Sequence, residues 1–113
     1  MASNNSASFA NSRGEREIQL LQFVCDAAGD ALARAAVIRA LADYAWLDAE
    51  NEILFETIRG LFAWNTANIL SELPAALTRR GFPDLPWEPL MQRSPLALRE
   101  ALALADELLR SAK

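Results

Sequence analysis

Apolar positions recur along this chain at the three- and four-residue intervals of a helix, most clearly in Trp46–Phe62, WLDAENEILFETIRGLF. Ile53, Leu54, Ile58, Leu61, Phe62 and Trp64 form a broad stripe with Phe55 at one edge, while Glu52, Glu56 and Arg59 share a narrow polar face. Asp48 is a good N-cap, and Glu50 in the first turn complements the helix dipole. A stripe this wide predicts a helix with neighbours on more than one side, with Leu54, Ile58 and Leu61 at the centre of a bundle and Glu52 and Glu56 exposed.

The same period places the remaining elements. A helix over Glu15–Ala28 carries Ile18, Leu21, Cys25 and Ala28, with Val24 inside the stripe and Leu20 widening it; Gln19, Gln22, Phe23 and Asp26 fall on the opposite side. Gly29-Asp30 interrupts the pattern, and Asp30 can cap a second helix over Asp30–Ala45. That helix is mostly alanine, with Leu32, Val37, Ile38, Leu41 and Tyr44 as its larger apolar residues and Arg34 and Arg39 as its solvated side. After the polar break Asn65–Asn68, a short helix ends on Arg79-Arg80-Gly81, cations and then a glycine suited to a left-handed cap. Its buried side is Leu70, Leu73 and Leu77. Ser71 is the expected N-cap, because a start at Thr66 puts Pro74 in the interior at about 3 kcal/mol. Phe82–Pro89 holds three prolines in eight residues and reads as an ordered loop. Ser94-Pro95 then opens a last helix over Pro95–Ser111. Leu98, Leu102, Ala105 and Leu109 line one side of its arc, and Ala97, Ala101, Leu104 and Leu108 extend it to about 160° by helical-wheel counting. Met1–Gly14, rich in Ser, Asn and Ala, reads as a flexible tail, or as a docking arm anchored by Phe9. The expected architecture is all-α: an irregular bundle of five to six helices forming a single domain over 15–113, after a tail over 1–14.

Composition narrows the chemistry. The chain has no histidine and one cysteine, Cys25. That removes His-based acid/base work, Ser-His and Cys-His nucleophile pairs, the common zinc sites and any intramolecular disulfide. Cys25 lies on the apolar stripe and reads as a core residue rather than a nucleophile. A net charge of −4 disfavours direct nucleic-acid binding. The basic residues are arginines apart from Lys113, which, with the abundant alanine, fits a GC-rich coding sequence. No apolar run reaches membrane-span length, and the N-terminus has no charged region followed by an apolar one, so the cytoplasm is the expected location. No catalytic, cofactor or metal residues are assigned, and an enzyme is not expected. Asp48, Glu50, Glu52 and Glu56 are explained by capping, dipole and solvation; Arg79-Arg80 by the helix C-terminus. Two features invite a binding role. Phe82, Leu85 and Trp87 in the proline-rich loop either plug the bundle or present a stiff aromatic platform. Leu104 and Leu108 on the last helix either dock deeply or face a partner. These five form the candidate interaction surface.

Glu17–Leu21, a Glu-x-x-x-Leu helix, is followed by the aromatic Trp46, then a polar turn, then Asn51 with the apolar-Phe pair Leu54-Phe55, then a leucine helix Leu70, Leu73, Leu77 ending at Gly81. Over Glu15–Gly81 this order resembles the N-terminal domain of DnaB-type replicative helicases and the helicase-binding domain of bacterial primases. Asn51 stands where that pattern has histidine, Gln22 where the helicase domains often have glycine, and the loop Phe82–Pro89 lies outside it. The resemblance implies a bacterial helical protein–protein module without an ATPase domain, docking another protein or itself, for instance as a homodimer. It transfers no functional residue. The alternative is a small apolar-ligand binder built around Trp46, Trp64 and Trp87.

Overall fold

In the computed structural model the backbone is described for residues 2–26, 29–64 and 68–111, and side chains within these from Arg13 to Arg110. Five α-helices and one 3-10 turn follow one another: α1 (Ala2–Cys25), α2 (Ala31–Ala40), α3 (Ala49–Ala63), α4 (Ile69–Arg79), the turn Glu88–Met91, and α5 (Leu98–Ser111). No strand occurs among the described residues, so the chain is an all-α bundle.

The second half of α1 is the central element, packing against α2, α3, α5 and the 3-10 turn. Leu20, Leu21, Val24 and Cys25 are fully buried there, and Phe23, on the side read as polar, also packs against the core. Gln22, on that side too, is buried and donates to the Pro89 carbonyl at 2.9 Å, tying the proline loop to α1. Helix α3 packs against α1 and α4. Its two flanks account for the wide stripe: Leu54, Phe55 and Ile58 are buried, Leu61 is half-buried and Glu52 is exposed, while Glu56 is half-buried and paired with Arg59. Helices α2 and α5 pack together, burying Ala33 on one and Ala101 and Ala105 on the other. Such small side chains let helix backbones approach closely.

Several element boundaries move. Helix α1 begins at Ala2, not Glu15, so the stretch read as a tail has helical backbone from Ala2 onward; the side chain of Phe9 lies outside the described residues. Helix α2 ends at Ala40 rather than Ala45, because Tyr44 and the residues after it are drawn to Glu17. Helix α4 starts at Ile69 behind Asn68, with Pro74 in its interior. The earlier start buries Ile69 completely, a gain of about 1.5–3 kcal/mol that offsets the proline penalty; the Ser71 hydroxyl donates to the Asn68 carbonyl instead of capping. Helix α5 starts at Leu98: Ser94 Oγ accepts the Leu96 N–H at 3.2 Å while donating to the Gln19 carbonyl on α1 at 2.9 Å, and Glu100 accepts the Ala97 N–H at the actual helix start. Arg34 was expected in solvent but is buried, its Nε donating to the Val24 carbonyl at 2.7 Å and its guanidinium lying 5.4 Å from the Phe62 ring centroid. It thereby caps the C-terminal end of α1 from the neighbouring helix.

Three local signals hold as read. Asp30 Oδ1 accepts from the Leu32 N–H. Asp48 Oδ1 accepts from the Glu50 and Asn51 N–H groups. Gly81 adopts φ +92°, with Phe82 N–H bonded to the Leu77 carbonyl and Gly81 N–H to the Thr78 carbonyl, the paired pattern of a Schellman cap.

Candidate functional site

The five candidate surface residues do not form one surface. Leu108 is only 1% exposed and belongs to the core, which corrects its assignment to an interface. Leu104, Leu85 and Trp87 are half-buried and pack against that core. The loop thus acts largely as a plug, with Leu90 of the following 3-10 turn as its fully seated residue. Phe82 alone among the five is exposed, at 37%. Leu98, read as lining the last helix's apolar arc, is exposed as well.

The large exposed apolar residues are Leu32, Leu47, Trp64, Phe82, Met91 and Leu98. Each sits at the end of an element. Trp64, 86% exposed, is the C-cap of α3 and not part of its buried stripe. Leu47 immediately precedes the Asp48 cap; the position that would staple it from the first turn is Glu52, so the helix supplies no apolar staple for it.

Two clefts carry Trp64 and Leu47. One, of about 310 Å³, lies between α3 and α4 and is bordered by Leu61, Trp64, Ala76, Arg79, Arg80 and Glu56. Its wall is held by Arg80, whose Nη1 donates to Thr57 Oγ1 at 2.7 Å, while Thr57 Oγ1 donates to the Ile53 carbonyl at 2.8 Å. The other, of about 510 Å³, lies at the start of α3 and is bordered by Leu47, Pro86, Pro89, Glu15, Asp48 and Glu50. Trp46 borders neither: it packs edge-on against Tyr44 and tilted against Phe55, with centroids 5.0 and 4.9 Å apart. The three tryptophans of the ligand-binding alternative therefore do not line either cleft together.

Behind the larger cleft lies a buried polar cluster that periodicity does not reveal. Glu17, fully buried, accepts from the Tyr44 hydroxyl at 2.6 Å, the Leu47 N–H at 2.7 Å, Asn51 Nδ2 at 3.0 Å and the Asp48 N–H at 3.3 Å. Arg13 Nε donates to the Tyr44 oxygen at 2.9 Å and its Nη2 to the Ala45 carbonyl at 3.1 Å. Burial, and next the hydrogen bond to Glu17, push the Tyr44 phenol up to about 12. Each group is satisfied by another member, so the cluster clamps the α2–α3 connection onto α1 rather than presenting reactive atoms. Cys25 is equally closed: burial pushes its thiol up to about 12 against the opposing pull of Arg34, which leaves it a poor nucleophile. No group of acidic or cysteine side chains suited to a metal occurs among the described residues, and no helix among them is long and apolar enough to cross a membrane. No protein-family model, curated protein or solved structure matches this chain.

Proposed function

We propose that this chain is a non-enzymatic helical module that binds another protein. The observation carrying this reading is Trp64, 86% exposed at the mouth of the α3–α4 cleft beside Leu61 and Arg79. Tryptophan and arginine dominate the energetic centres of protein interfaces, and covering a large exposed aromatic with a partner gains its apolar burial. Glu17, the most deeply buried polar residue, is spent on Tyr44 and Asn51 rather than held free for chemistry. The sequence resemblance to helicase and primase docking domains supports this reading.

A photo-crosslinking amino acid introduced in place of Trp64, with one in place of exposed Arg39 as control, tests it in the native host. The expected result is a covalent protein adduct of discrete mass at position 64 that is absent at 39. Equal adducts at both positions, together with a tryptophan fluorescence response to a panel of small apolar molecules, would favour the ligand-binding alternative.

A further inference from the structure

The two clefts are complementary. The one at the start of α3 is bordered by three carboxylates, Glu15, Asp48 and Glu50, with no basic residue, around an apolar floor of Leu47, Pro86 and Pro89. The one toward the end of α3 presents Trp64 and Leu61 flanked by Arg79 and Arg80; the carboxylate it includes, Glu56, is paired with Arg59. They lie toward opposite ends of one helix of 15 residues, about 22 Å long at 1.5 Å per residue. A symmetric contact through either cleft would set like charges against each other, the two Arg79 side chains in one case and the two Glu50 side chains in the other. A head-to-tail contact pairs opposite charges and apolar surfaces at once.

Resting on the protein-binding reading above, we infer that the partner is a second copy of this chain: Trp64 of one copy enters the Leu47–Pro86–Pro89 cleft of the next, with Arg79 set against Glu15 and Glu50. Where the two ends engage separate neighbours such a contact is heterologous and propagates into a ring or a filament; where both ends engage one neighbour it closes as a two-fold dimer. Trp64 supplies the apolar anchor. The charges fix the direction and make association sensitive to salt, because exposed pairs are screened beyond about 10 Å at 0.1 M and about 3 Å at 1 M.

Two variants separate the ends. Trp64→Ser with Arg79→Glu removes the basic end; Leu47→Ser with Glu50→Arg removes the acidic one. None of these side chains is buried, and far-UV circular dichroism confirms folding of each. In sedimentation velocity over a concentration series, the wild type should grow in mass with concentration, and high salt should shrink it. Each variant alone should be weakened by about thirtyfold or more, the loss expected from one hot-spot residue. Mixed in equal amounts, the two variants should form a species of twice the chain mass and nothing larger, since each retains the end the other lacks. A wild type that stays monomeric at millimolar concentration overturns the second-copy inference, and so does a mixture that fails to pair. Either result leaves the position-64 crosslink as the separate test of binding to a different protein.

Discussion

Replacing Glu17 tests whether the buried cluster holds the α2–α3 connection in place. In Glu17→Ala the Tyr44 hydroxyl keeps Arg13 as a partner, and Asn51 keeps a long bond to the Gly14 carbonyl at 3.4 Å. The Leu47 and Asp48 N–H groups lose the acceptor they share, and water reaches them only in part. Hydrogen bonds to a charged group contribute about 1.5–3 kcal/mol each, and a stranded buried donor costs about 1–3 kcal/mol. With partial solvent rescue, the sum is about 3–5 kcal/mol, a large share of the roughly 5–15 kcal/mol that holds a domain folded. At about 4 °C per kcal/mol for a chain of this size, the midpoint should fall by about 12–20 °C. Glu17→Gln keeps the volume and one acceptor, and the Asn51 amide can turn over to accept from the new N–H; it should cost only about 1–2 kcal/mol. Urea unfolding followed by circular dichroism gives the energies. Hydrogen exchange at Leu47 and Asp48 shows whether those two amides in particular lose protection. A Glu17→Ala loss below about 1 kcal/mol, or a Gln variant no better than the Ala variant, would refute the clamp.

Tyr44 is the only tyrosine, so its phenol can be followed by ultraviolet absorbance; it should ionise near 12 in the native protein against 10 when unfolded. Because the folded value is the higher one, the stability this group contributes is fully present below pH 10 and is lost as pH rises toward 12; native ionisation near 10 would contradict its burial. Ile58→Ala should cost about 2–5 kcal/mol in a urea titration, whereas Glu56→Ala, which removes a surface pair with Arg59, should fall within about 0.5 kcal/mol of wild type. Leu108→Glu should abolish the folded circular dichroism spectrum and Leu104→Glu should retain it, since the half-buried site can turn its charge to water.

What the sequence reveals here is what short-range physics decides. The Asp48 cap and the Gly81 cap each depend on groups within about one helical turn, and both are present. The stripe of α3 likewise survives, because Leu54, Phe55 and Ile58 recur on one face of one helix. The Glu17 cluster was out of reach, because its hydrogen bonds join residues 27, 30 and 34 positions apart. In the structure Glu17 bonds both Asn51 and Tyr44, and Trp46 packs beside Tyr44. Pro74 shows a local rule losing to a distant one. The proline penalty argues for a start at Ser71, but the core had a place for Ile69, and burial at 0% exposure prevailed. Arg34 makes the same point for charge. Nothing near it in sequence announces that α1 would end against it with an unmet carbonyl.

The apolar arc of the last helix was the most misleading signal, and its failure explains where the exposed surface lies. A helical wheel counts apolar positions without regard to size. Two of the buried positions on α5 are alanines, 101 and 105, and a helix that docks on alanines sits close to its neighbour. At close range the flanking residues Leu102, Leu104 and Leu109 also reach the core and pack against it. A wide arc centred on small residues therefore signals deep docking rather than spare surface. Surplus apolar surface appears instead where periodicity has no authority: beside caps and at first or last turns, where a side chain's direction is set by the chain's entry or exit. Leu47, Trp64, Phe82 and Leu98 all occupy such positions. In a bundle this small, the ends of helices are also the places where two clefts of opposite charge can sit far enough apart to join one copy to the next.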